Sequence, residues 1–146
     1  MSNLNNEALR AQVAHRADHL CEYCLIDEED CLFNFQIDHI ISVKHGGRTV
    51  MENLAFACVF CNRQKGSDLG TILPGTQDIF RFFNPRIDAW ADHFKLTGAI
   101  IEPLDEIAEG TVRIFGFNHP DRILERQLLI ARGRFPTLPA LARMRA

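Results

Sequence analysis

Residues 21–70 read CEYCLIDEEDCLFNFQIDHIISVKHGGRTVMENLAFACVFCNRQKGSDLG. Two Cys-x-x-Cys pairs, Cys21/Cys24 and Cys58/Cys61, bracket an Asp-His pair, a Gly-Gly loop and two asparagines. Thiolates at this spacing chelate one ion through a tight turn, and two such turns complete a tetrahedral site. Four thiolates leave no open coordination position, so the pattern predicts a structural Zn²⁺ held by Cys21, Cys24, Cys58 and Cys61. The 33 residues between Cys24 and Cys58 are enough to hold a strand–loop–strand piece inside the clamp. The fifth cysteine, Cys31, reads as a small buried apolar residue.

Working outward, residues 33–43 (FNFQIDHIISV) predict a strand. Residues 44–52, with Gly46-Gly47, predict a loop, and residues 53–57 a second strand. Residues 59–68 predict a helix carrying Asn62 and Lys65. Before the clamp, 5–19 fits an amphipathic helix. After it, 70–86 contains Gly70, Pro74, Gly75 and Pro85 and reads as a surface connection with one short helical piece. Residues 93–102 predict a hairpin turning at Thr97-Gly98. Helices are expected over 105–117 and 120–133, with Pro120 in the first turn of the second. From Pro136 onward the pattern allows a short arginine-bearing helix or a frayed end. The expected class is α+β, one domain over 1–146 with a core at 20–70 and a C-terminal extension at 71–146.

The formal net charge is −3, but it is unevenly spread. Residues 1–35 carry −5, 36–70 carry +1, 71–110 carry −4 and 111–146 carry +5. The two non-negative segments are the ones suited to face a polyanion. No run of about 18 apolar residues exists, so no membrane span is expected. The N-terminal residues show no secretory signal, and paired cysteines at metal spacing favour a cytoplasmic zinc protein over a disulfide scaffold.

Asp38 and His39 are neighbours on a predicted strand and so point to opposite faces. Followed by Gly46-Gly47, Asn53, then CxxCN and Lys65, this arrangement resembles the HNH endonuclease family in its four-cysteine, zinc-containing branch. The matching pieces are CEYC, IDHIISVKHGG, ENL and CVFCNRQKG, spanning about a third of the chain. The resemblance implies a ββα-metal fold around one catalytic divalent cation, Mg²⁺ or a similar ion. It implies His39 as the general base that activates water, and Asp38 and Asn62 as oxygen ligands of that cation. Asn53 would brace the loop and orient His39. Asn62 stands where many members have His; an amide oxygen also suits a hard cation. Lys65, Arg63 and His45 are candidate phosphate contacts.

Further on, Asn84, Pro85, Arg86, Asp88, Trp90, His93 and Phe94 resemble a C-terminal extension found in small bacterial HNH proteins. Either Arg86 or His93 packs back toward the active site, or Trp90 and Phe94 are core and His93 is bonded locally. The expected function is therefore metal-dependent hydrolysis of phosphodiester bonds in DNA. The alternative is a zinc-stabilised nucleic-acid-binding module without turnover, holding phosphates with Arg122, Arg126, Arg132, Arg134, Arg143 and Arg145. Monomer and homodimer both remain open.

Overall fold

The two Cys-x-x-Cys pairs each close a backbone knuckle, and these knuckles fix where the chain's first sheet lies. At the first, Leu25 N–H donates to Cys21 O and Cys21 N–H to Ile26 O, both at 2.8 Å. Leu25 takes a left-handed φ of 66° to make the turn. Glu22 N–H then donates to Phe56 O at 2.8 Å, tying this knuckle to the strand that leads into the second. The structure is a computed structural model that describes residues 3–146.

Strand β1 (Gln36–His39) pairs antiparallel with β2 (Leu54–Ala57), with Asp38 opposite Ala55 and His39 opposite Leu54. Every residue of β2 is buried, whereas β1 buries only Asp38 fully. Helix α2 (Val59–Lys65) follows at once, with Cys58 as its N-cap and Gly66 at φ +53° as its stop. Strand, loop, strand and helix thus occur in the order read from the sequence.

The first strand is shorter than the expected 33–43. Beyond His39 the backbone of Ile41 is taken by a side chain: Asn53 Oδ1 accepts from Ile41 N–H and Asn53 Nδ2 donates to Ile41 O. Those groups are lost to a sheet ladder, so the apolar run Ile40–Val43 bends away, leaving Ile41 and Val43 exposed.

Around this unit lie α1 (Asn3–Arg16), which packs on both strands, and a set of C-terminal elements. Residues 70–86 are not the irregular connection that their glycines and prolines suggested. Strands β3 (Gly70–Ile72) and β4 (Ile79–Arg81) form an antiparallel hairpin. Gly70 is needed there because a β-carbon would lie 2.4 Å from Phe80 O. Each strand is only three residues long, too short to register as alternation, and packing on a later helix sustains it. A single turn, α3 (Trp90–His93), leads into β5 (Phe94–Thr97) and β6 (Ile100–Pro103), which turn at Gly98-Ala99. Helices α4 (Glu106–Phe115), α5 (Pro120–Ala131) and α6 (Leu138–Arg145) complete the α+β chain. Asp105 and Thr137 cap α4 and α6 through their side chains.

One buried cluster runs from Val13 to Ala140 and includes the four paired cysteines. Trp90 Nε1 donates to Tyr23 O at 2.9 Å, and the Tyr23 ring packs on Phe115 of α4. The extension is therefore built onto the cysteine knuckle. Among the described residues no helix is long and apolar enough to cross a membrane.

Candidate metal centre and catalytic hairpin

Cys21, Cys24, Cys58 and Cys61 are buried, and their sulfurs all lie within 4.8 Å of one another. Cys24 and Cys58 sulfurs are 3.8 Å apart. A tetrahedron of metal–sulfur bonds of about 2.3 Å has edges of roughly 3.8 Å, so the cluster has the dimensions of a zinc site. Backbone N–H groups of Cys24 and Cys61 donate to the sulfurs of Cys21 and Cys58, at 3.5 and 3.4 Å. These bonds hold the knuckle sulfurs in place before any ion is considered.

A cation from far along the chain faces the cluster. Arg122 of α5 is 3% exposed, and its Nη2 lies 3.0 Å from Cys24 Sγ and 3.8 Å from Cys58 Sγ. Its guanidinium also stacks 5.0 Å over the Phe60 ring. Burial works against the Arg122 charge, but the sulfurs outweigh it and hold the group above its ordinary value. Burial likewise pushes the thiols of Cys21 and Cys61 well up. Cys24 goes the other way: burial opposes it, yet hydrogen bonds from the other three cysteines and the Arg122 charge draw it well down. Sulfur ligands at a zinc ion must be thiolates, and Arg122 favours that state.

The polar residues between the cysteines divide between two faces of β1. On the inner face, Asp38 is 4% exposed; Tyr23 Oη donates to its Oδ2 at 2.6 Å and Lys65 Nζ to its Oδ1 at 3.2 Å. Burial raises the Asp38 carboxyl above its usual range, and the pull of Lys65 and Tyr23 does not cancel it. Burial beside Asp38 also keeps Tyr23 a phenol, hence a donor. Lys65 is itself 2% exposed and donates to His39 O at 2.9 Å. The expectation that Lys65 contacts phosphate is therefore corrected. Lying three residues after Asn62 on a short helix packed on β1, it falls inward onto the strand and acts as a buried strut.

On the outer face His39 is half-buried, with Nε2 2.9 Å from Thr49 Oγ1. Asn53 pins the intervening loop: besides its two bonds to Ile41, its Nδ2 donates to Arg48 O at 2.9 Å. Gly47 permits this closure, since a β-carbon would fall 1.6 Å from Ile41 O and 2.8 Å from Asn53 Nδ2. Asn62, half-buried on α2, donates from Nδ2 to Gln36 Oε1, which leaves its Oδ1 as an acceptor. His45, Arg48 and Arg63 are exposed, as is Lys44 on the same loop as His45 and Arg48. Thr49, Tyr23 and Gln36 carry no local sequence signal, and Arg122 reads from sequence only as one of the tail's phosphate-binding arginines; each acts through a contact between residues distant in sequence.

The C-terminal string resolves in two ways. Arg86 reaches back to the hairpin, donating to Leu54 O at 3.0 Å and pairing with buried Glu22. His93 stays local, with Nδ1 2.7 Å from Asp105 and its ring against Phe83. Trp90 and Phe94 are core. The basic tail is mostly engaged within the molecule. Arg126 is 1% exposed and donates to Ala99 O and Phe117 O. Arg134 pairs with Asp30 and Arg143 with Asp18. A phosphate-binding role for the whole arginine set is thus corrected, because Arg122 faces the cysteines, Arg126 holds carbonyls of the C-terminal half, and Arg134 and Arg143 pair with N-terminal acids. Cys31 is only half-buried, its thiol 3.6 Å from Asp27 O.

Residues 21–68 match the family model described as HNH endonuclease. With the ββα order and the clustered cysteines, this agrees with the zinc-containing branch of a nuclease family. No curated protein and no solved structure matches the chain.

Proposed function

We propose that the protein is a metal-dependent endonuclease that hydrolyses phosphodiester bonds in DNA, with His39 as the general base. The observation that carries this reading is His39 itself. It sits at an open strand end in the matched segment, with one ring nitrogen engaged and its loop clamped by Asn53. If Nε2–H donates to Thr49, Nδ1 keeps a lone pair to take a proton from water, as a neutral imidazole can near neutral pH. Asn53 is then a positioning residue, fixing the loop that carries Thr49.

Asp38 and Asn62 are the proposed oxygen donors to the divalent cation, and their chemistry suits a hard ion such as Mg²⁺. When bound, such an ion neutralises phosphoryl charge and stabilises the leaving alkoxide. Asp38 already serves Tyr23 and Lys65, so engaging it means sharing a carboxylate with the Lys65 ammonium. Exposed Lys44, Arg48 and Arg63 are the proposed phosphate contacts in place of Lys65.

The burial of Asp38 favours one competing reading: a zinc-stabilised nucleic-acid-binding module without turnover. Zinc-loaded protein incubated with supercoiled plasmid, with and without added Mg²⁺ or Mn²⁺, separates the two. The nuclease reading expects nicking that depends on the added cation. Retarded but uncut plasmid under every cation supports the binding module instead.

A further inference from the structure

Helix α5 (Pro120–Ala131) buries Arg122, Arg126 and Leu129 and turns its opposite face to solvent. That face carries Leu124 at 54% and Leu128 at 52% exposure. Asp121 precedes the two leucines and Arg132 follows them; both are exposed. Across a groove lined by Glu29, Asp30, Leu32, Leu129, Arg132 and Arg134 stand the exposed Leu32 and Phe33, at 96% and 69% exposure. Leu124 and Leu128, four residues apart on one helical face, form an apolar stripe rather than scattered singles, flanked by Asp121 and Arg132.

The order acid, Leu, Leu, base along one face is self-complementary under a twofold axis. Two copies of α5 packed antiparallel, with the axis near residue 126, set Leu124 against Leu128 of the second copy. The same register sets Asp121 against Arg132 of the second copy, twice by symmetry. A parallel arrangement would place like charges together. Asp121 has only a loose local partner, His119 Nδ1 at 3.8 Å, and Arg132 makes no ion pair among the described residues. Both charges are thus available to a partner, in contrast to Arg134 and Arg143.

We propose that this face is a homodimer interface, occupied by α5 and the Leu32–Phe33 loop of a second copy of the chain. A single helical stripe with one flanking loop makes a small interface, so the dimer is reversible. The proposal is independent of the nuclease reading, since mass is measured without substrate.

Sedimentation equilibrium of the full zinc-loaded chain over a concentration series tests it. The expected result is a reversible monomer–dimer equilibrium. Leu128→Glu abolishes the dimer by setting a carboxylate against Leu124 of the second copy, twice by symmetry. Asp121→Arg raises the dimer Kd by about tenfold, because two attractions become repulsions. The double variant Asp121→Arg/Arg132→Asp restores wild-type association. All positions are solvent-facing, and unchanged circular dichroism and zinc content serve as the check on folding. A monomer at every concentration overturns the proposal and leaves the patch to a different protein partner. A dimer indifferent to Leu128→Glu, or a charge swap that fails to restore association, overturns it equally.

Discussion

Replacing Arg122 by Met should weaken zinc binding severely while leaving the apolar packing near Phe60 in place. Four thiolates and one Zn²⁺ leave two negative charges in the interior. Arg122 offsets one of them, with a nitrogen 3.0 Å from Cys24 Sγ and almost no solvent access. Breaking a buried charge pair by deleting one member costs about 3–5 kcal/mol. At about 1.4 kcal/mol per factor of ten, zinc affinity should fall by roughly two to four orders of magnitude. Competition against a chromophoric chelator at fixed pH, under reducing conditions, measures this directly. Thermal unfolding with and without zinc gives a second readout, because metal that binds the folded state raises its stability by mass action. Arg122→Lys should fall between the two, since a point charge reaches fewer sulfurs than a guanidinium fork. If Arg122→Met bound zinc within about threefold of wild type, the charge-compensation argument would be refuted.

Three other outcomes follow from the geometry. Gly47→Ala drives a β-carbon into Ile41 O, 1.6 Å away; it should cost at least about 2 kcal/mol and lower the melting temperature by roughly 4–8 °C in calorimetry. Lys65→Met strands the buried Asp38 carboxylate and should cost about 3–5 kcal/mol in urea unfolding, with Asp38→Asn in the same chain recovering most of it. Asp88 has its carboxyl held below the usual range: burial opposes this, but bonds from Arg81 and Asn84 N–H prevail. A depressed carboxyl stabilises the fold fully above the ordinary carboxylate pKa and loses that contribution as pH falls through the folded value. Asp88→Asn should therefore flatten the acid limb of the stability profile, and an unchanged slope would rule Asp88 out.

The cysteine clamp was legible because chelation imposes spacing on sequence, and Gly46-Gly47 marked the loop between the strands. The α5 start was legible through Pro120, and the β5–β6 hairpin through Gly98. The β3–β4 hairpin was not, because three-residue strands carry no period of their own and depend on α4. Arg122 stands 98 residues from the cysteine it contacts most closely, and nothing local distinguishes it from the other tail arginines. Lys65 shows the same limit inside the matched segment. Its type and position read as a phosphate contact, and only the register of α2 against β1 reveals the pairing with Asp38. Asp38 and His39 were separable in advance, since neighbours on a strand face opposite ways; which face held the core was not.

The proposed hydrolysis runs through His39 as the base that activates water. Single-turnover cleavage of plasmid by zinc-loaded wild-type and His39→Ala protein, with matched folding and zinc content, tests it most directly. The variant should retain the metal and the fold but cleave at least about 100-fold more slowly. Equal rates for the two proteins would contradict it.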